Sequence, residues 1–168
     1  MRTPKLLLVL ALSGLLAACG FQLRGNYALP FTTLSIGMTP TSAFYAQLKR
    51  SIEASSPTRI VDDPKAAEAH LVVLGDASQK VILSLSAAGR AREYDLVRTF
   101  SFKVSGQDGA EFVPPSQIVL RRDITYNDDL VLSKESEETL LWRDIQNDLV
   151  QQIMRRLAAA RLRAANDS

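Results

Sequence analysis

The chain has 168 residues, 46% of them hydrophobic and 23% charged, which is enough for one domain with a real core. Its 20 basic residues face 18 acidic ones, and once Arg2 and Lys5 leave with a predicted leader the balance is 18 against 18. A neutral mature chain argues against a general nucleic-acid binder, and a single cysteine excludes a disulfide within the chain.

Arg2 and Lys5 precede an apolar run, Leu6 through Leu16, broken only by Ser13 and Gly14; Ala17 and Ala18 then put small side chains before Cys19. A membrane span takes about 20 apolar residues, so this shorter run reads as the hydrophobic part of a secretory signal, residues 1–18. Leu16-Ala17-Ala18-Cys19 resembles the lipobox of bacterial lipoproteins. That resemblance implies that Cys19 becomes the first mature residue, carrying S-diacylglycerol and an N-acyl chain, and that Gly20 after it directs release to the outer membrane. One acyl chain holds a protein only marginally, at about 0.8 kcal/mol per buried methylene, whereas three on one residue anchor it durably.

Residues 19–30, with Gly25 and Asn26 suited to a turn and Pro30 at the end, read as a lipidated tether ahead of a single domain over 31–168. Thr32 to Ile36 is β-prone and stops at Gly37 and Pro40. Thr41 or Ser42 then caps a predicted helix whose apolar residues, Phe44, Tyr45, Leu48 and Ile52, share one face, and Ser55-Ser56-Pro57 ends it. Thr58 to Val61 is a further short strand. Leu71–Leu74 and Val81–Leu85 flank Gly75-Asp76, which predicts one long strand bulged at the glycine. Ala87 to Ala91 forms a hairpin turn. Beyond it Tyr94, Leu96, Phe100, Phe102 and Val104 alternate with polar residues. Gly106 to Gly109 turns again, Pro114-Pro115 excludes a central strand there, and Gln117 to Tyr126 alternates with Arg122 as the exception on its apolar face.

The last segment is a long helix. Leu141, Ile145, Leu149, Ile153 and Leu157 recur every four residues; Ser133 or Ser136 is the predicted cap, with Glu135, Glu137 and Glu138 at the positive end of the dipole. From Ser133 to Arg163 it extends roughly 45 Å. These elements predict an α+β, two-layer sandwich: a four-stranded, mostly antiparallel sheet with two helices on one face, the C-terminal one long. The other face, with Thr99, Ser101, Lys103, Arg121, Asp123 and Thr125, is too polar to be a second core.

The chemistry of an enzyme is missing. His70 is the only histidine, an acylated Cys19 leaves no thiol, and no nucleophile elbow, phosphate loop or dinucleotide fingerprint occurs. Asp128-Asp129 and Glu137-Glu138 fit a turn and a helix start better than a catalytic pair. The reading is a binding protein with no catalytic residue, metal site or cofactor apart from the covalent lipid on Cys19. Its candidate anion-binding residues are Arg90 and Arg92 at the hairpin, Arg121 and Arg122 in the last strand, and Lys134 at the start of the long helix. Guanidinium forks and an ammonium point charge suit phosphate, and ordinary surface charge is the alternative.

Cys19-Gly20-Phe21-Gln22-Leu23-Arg24-Gly25, Arg90-Ala91-Arg92-Glu93-Tyr94, Tyr126-Asn127, Leu132-Ser133-Lys134-Glu135 and the terminal helix, in that order, resemble the LptE family of lipopolysaccharide-assembly lipoproteins. The resemblance implies a lipid-anchored outer-membrane protein that plugs the lumen of the LptD β-barrel, assists its assembly, and binds lipopolysaccharide on its way to the outer leaflet. It implies lipopolysaccharide-binding basic residues near the hairpin tip and near the start of the last helix. Lys134 matches the second position; at the first stands Ala87, with Arg90 and Arg92 shortly after. The other reading is an adaptor lipoprotein of another envelope complex, such as the β-barrel assembly machinery, with no lipopolysaccharide site.

Overall fold

The structure, a computed structural model, describes residues 27–107, 109–126 and 131–166, except the side chains of 131–132 and 161–166. The predicted signal peptide, Cys19 and most of the tether lie outside the described residues. The elements are β1 (Thr33–Gly37), α1 (Ala43–Ser55), β2 (Arg59–Ile60), a 3-10 turn (Pro64–Ala66), β3 (Ala69–Leu85), β4 (Ala91–Gly106), β5 (Glu111–Thr125) and α2 (Val131–Asn166).

The sheet has five strands in the order β2-β1-β3-β4-β5, not four, and it is mixed: β1 runs parallel to both β2 and β3, and β3, β4 and β5 are antiparallel. The physical reason is the crossover through α1, which brings the chain back in its original direction, whereas the tight turns after β3 and β4 reverse it. The expected bulge at Gly75 is present as a register shift between Val73 and Gly75. Pro114 and Pro115 fall inside β5, where the pairing with β4 slips between Phe102 and Val104; β5 tolerates them because it is an edge strand.

Ser42 caps α1 by accepting a hydrogen bond from Tyr45 N at 3.1 Å, and Phe44, Tyr45, Leu48 and Ile52 are buried beneath the helix. Helix α2 begins at Val131, so Ser133 and Ser136 lie inside it rather than capping it. Glu135, Glu137 and Glu138 are correspondingly one turn deeper than expected. The helix runs from the hairpin end of the sheet back over β5, burying Ile145, Leu149, Val150, Ile153, Met154 and Leu157 in one cluster with Phe100, Phe102, Ile118, Leu120 and Ile124. Each such side chain contributes about 1.5–3 kcal/mol on burial. Phe44 of α1 meets Phe100 edge-on at 5.4 Å, and Gln47 joins the two helices through Asn147 at 2.7 Å and Gln146 at 2.6 Å.

β1 stays beside β3 only from Ala69 to Val72, and past Gly75 the β3–β4 hairpin extends with β5 on its other side alone. Residues 74–83 are exposed throughout.

Candidate functional site: the hairpin end of the sheet

The hairpin turn is built on Gly89, whose φ of 74° suits a residue without a side chain; Ser86 N donates to Arg90 O at 2.7 Å and Arg90 N to Ser86 Oγ at 3.2 Å. Arg90 and Arg92 are thereby held at the tip, both exposed. Tyr126 N donates to Arg92 O at 2.7 Å, so β5 ends beside Arg92 and α2 begins shortly after, at the same end of the sheet.

Helix α2 is fastened there by a charged cluster. Lys80 Nζ donates to Glu138 Oε2 at 2.6 Å and to Tyr126 OH at 3.0 Å, and it lies 4.3 Å and 4.6 Å from the ring centres of Tyr94 and Tyr126. Tyr126 OH donates to the same Glu138 oxygen at 2.5 Å, and Trp142 Nε1 reaches Oε1 at 3.4 Å. Burial pushes the Glu138 carboxyl up, but the hydrogen bonds from Lys80, Tyr126 and Trp142 outweigh it and hold the group below the usual carboxylate range. Burial lowers the Lys80 ammonium, and its bonds to Glu138 and Tyr126 reverse that and raise it. The Tyr126 phenol is raised, first by burial and then by Glu138.

Lys134 lies one helical turn, about 5.4 Å, nearer the helix start than Glu138. Its ammonium pairs with Glu137 at 2.7 Å. Arg90, Arg92 and Lys134 therefore share one end of the molecule. Arg122 does not join them. It sits lower on the helix face, opposite Leu96 in the register, and its guanidinium pairs with Asp148 of α2 and donates to Arg121 O at 2.8 Å. Arg121 points to the opposite face and pairs with buried Asp95 at 2.8 Å. On that face too, His70 Nδ1 pairs with the buried Ser35 hydroxyl. Cys19, Asp128 and Asp129 lie outside the described residues. Among the described residues no three His, Cys, Asp or Glu gather as metal ligands, and no helix is long and apolar enough to cross a membrane.

Lys80 is the functional-end residue that sequence reasoning missed. The available signal was a lone lysine two positions before Ile82 and in line with Tyr94 and Tyr126, but its acidic partner is 58 residues away. Beside the tip, Val81, Ile82, Leu83 and Leu85 expose large apolar side chains.

The LptE family model, described as lipopolysaccharide-assembly, matches residues 31–157. The chain belongs to the LptE family. Named LptE lipoproteins resemble it over nearly its full length: that of Pectobacterium atrosepticum is 29% identical, covering 94% of this chain and 86% of the relative, and that of Yersinia enterocolitica is 30% identical, covering 94% and 77%. Solved structures of bacterial lipoproteins share the fold. Lipoprotein B of Nitrosomonas europaea superposes with a TM-score of 0.71 at 33% identity, over 83% of this chain and 91% of that one. The minor lipoprotein of Acinetobacter baumannii gives 0.63 at 25% identity, over 79% and 95%. Rare lipoprotein B of Shewanella oneidensis, at 21% identity, shares the fold with a TM-score of 0.67 over 79% and 98%.

Proposed function

We propose that the chain, lipid-anchored through Cys19 on the periplasmic side of the outer membrane, is the plug and assembly partner of an LptD-type β-barrel and binds lipopolysaccharide with its hairpin end. Membership of the LptE family supports the lipopolysaccharide-assembly role, and the names of its relatives support the lipid anchor. The observation that carries the binding site is the meeting of Arg90, Arg92 and Lys134 with exposed Val81, Ile82, Leu83 and Leu85 at one end of the sheet. Lipid A joins phosphates to acyl chains, and this end offers cations beside apolar surface. Packed lipopolysaccharide is cross-linked laterally by divalent cations; guanidinium and ammonium groups compete for the same phosphates and keep molecules apart for insertion. Arg122, opposite Leu96 and away from the hairpin end, has the weakest claim of the four candidates.

The combined variant Arg90→Glu, Arg92→Glu, Lys134→Glu tests the site. Its affinity for purified lipopolysaccharide at physiological salt falls by more than tenfold on this reading, and an unchanged affinity overturns it. Affinity purification of the lipidated chain tests the partner. One barrel recovered in equal amount supports the plug, whereas several lipoproteins of an envelope machine indicate an adaptor.

A further inference from the structure

From Asp76 to Leu85, strand β3 has a neighbour on one side only. β4 pairs along its whole length, but β1 ends at Gly37, opposite Val72. The direction of the unpaired peptide groups follows from the ladder. Arg92 O accepts from Tyr126 N, so Arg92 turns its peptide groups toward β5; by alternation Asp95, Val97 and Thr99 turn theirs toward β3. Their register partners Val81, Gln79 and Ala77 are committed to β4. Asp76, Ser78, Lys80 and Ile82 therefore point N–H and C=O outward.

Most of the devices that normally blunt such an edge are missing. Between the register shifts at Val73/Gly75 and Ile82/Ser84 it contains no proline and runs about 20 Å, from Asp76 to Ile82, at 3.3 Å per residue. Its one lysine, Lys80, folds back onto Tyr94 and Tyr126, and its one acid, Asp76, accepts from Arg98 Nε and Nη2 at 3.0 Å and 2.8 Å. Val81, Ile82, Leu83 and Leu85 are large apolar side chains left exposed at its hairpin end, with Leu74 just ahead of it. A row of alternating donors and acceptors that ends in an apolar patch matches another extended backbone. An acyl chain satisfies only the patch.

Neither this chain nor a second copy fills the slot well. Tyr27 N bonds Ser55 O at the opposite end of the sheet; residues 19–26 add at most about 28 Å of chain, and the rise along β3 from Ala69 to Asp76 takes about 23 Å of it before the slot begins. Residues 127–130 leave from β5, on the far edge. Antiparallel pairing of β3 with its copy sets the two Tyr27 ends about 75 Å apart at opposite poles, so a dimer standing on one bilayer reaches it with only one anchor.

We propose that the outward edge of β3, Asp76–Leu85, takes an added β-strand from the barrel partner. A closed barrel wall has no free edge, so the strand is an extended loop segment that reaches into the lumen. This rests on the plug reading above. At the head of the slot, where β1 turns away, an opening of about 880 Å³ lined by Met38, Pro40, Phe44 and Val73 receives the side chain at the end of the added strand.

Two variants of the full lipidated chain test this, co-expressed with a tagged barrel partner and extracted in detergent. Ser78→Pro removes one outward amide and leaves the β3–β4 ladder whole. Ala77→Lys with Gln79→Lys charges the exposed edge outside the lipopolysaccharide site without touching the backbone, and decides the matter if the proline lowers the melting temperature. Both are expected to cut the chain recovered per barrel at least tenfold, with lipopolysaccharide binding by the isolated chain retained. Wild-type recovery in a folded variant overturns the edge assignment and leaves the plug reading intact. A wild-type chain that recovers no barrel overturns the plug reading and the edge with it. A dimer of the isolated chain that Ser78→Pro dissociates gives the edge to a second copy and also overturns the proposal.

Discussion

Lys80 of β3 and Glu138 of α2 meet at 2.6 Å across 58 residues of sequence, and this pair fastens the start of the long helix to the outer half of the hairpin. The first turns of α2 contribute little to the buried cluster: the fully buried stripe begins at Ile145. The polar cluster is therefore the main tie at the end that carries Lys134. Glu138→Gln keeps the shape and removes the charge, and its expected cost is about 1 kcal/mol, since the pair is partly exposed. Amide hydrogen exchange is expected to quicken in residues 133–142 and stay unchanged around Ile153. Uniform exchange along the helix would show that apolar packing alone holds it.

The same cluster gives a pH dependence with a definite sign. Glu138 is held below the ordinary carboxylate range, so its contribution is present above the unfolded value of about 4.3 and is lost as pH falls through the folded value. Lys80 is raised, so its share is complete below the unfolded value of about 10.4 and is lost as pH rises through its folded value. The tie is thus flat through neutrality and loosens in acid. Trp142, the only tryptophan in the chain, bonds Glu138 and reports it. Its emission should shift as pH falls below the ordinary carboxylate range, and in Lys80→Met the midpoint should move to higher pH.

Much of this was legible in sequence because it depends on periodicity. The alternation from Tyr94 to Val104 produced β4, the four-residue recurrence from Leu141 to Leu157 produced the buried stripe of α2, and Gly75 marked the bulge in β3. What escaped depends on partners. The short strand Arg59–Ile60 falls within the predicted Thr58 to Val61, but its parallel neighbour β1 could not be read from it. The parallel direction itself comes from the α1 crossover, which residue patterns do not encode. Arg122 stood out on an apolar face, and the partner that explains it, Asp148, sits on a helix whose packing only the fold determines. The site was half visible: Arg90, Arg92 and Lys134 could be named, but Lys80 and the open edge of β3 needed the sheet order.

Arg122 and Lys134 make a contrasting pair for mutation. Arg122→Ala leaves the Asp148 carboxylate without its guanidinium on a half-buried surface, so a stability loss of about 1 kcal/mol is expected with lipopolysaccharide affinity unchanged. Lys134→Ala breaks only an i,i+3 pair with Glu137, so stability should hold within about 0.5 kcal/mol while affinity falls. Thermal melts beside a lipopolysaccharide titration separate the two. Equal loss of affinity in both variants would enlarge the site to the middle of the sheet.

The two layers meet at Phe100, which is fully buried between Phe44 of α1 and the α2 stripe. Phe100→Ala leaves a cavity bordered by both helices, with an expected cost of about 3–5 kcal/mol. For a domain this size that shifts the melting temperature by roughly ten degrees or more. A loss under about 1 kcal/mol by denaturant titration would mean that the helices close over the gap.

Gly89 presents the tip arginines, and its effect can be isolated because a side chain there meets nothing within 4 Å. Any cost of substitution comes from the left-handed backbone, φ 74°, and not from a clash. Gly89→Ala is expected to lose about 1 kcal/mol and Gly89→Asn less, because asparagine tolerates that conformation. The strained variant can also relax the turn, which breaks the bonds between Ser86 and Arg90 and swings Arg90 away from Lys134. Affinity for lipopolysaccharide should then follow the order Gly, Asn, Ala even where all three chains are folded. Equal affinities with unequal stabilities would mean that the arginines act through their number at the tip and not through their fixed position.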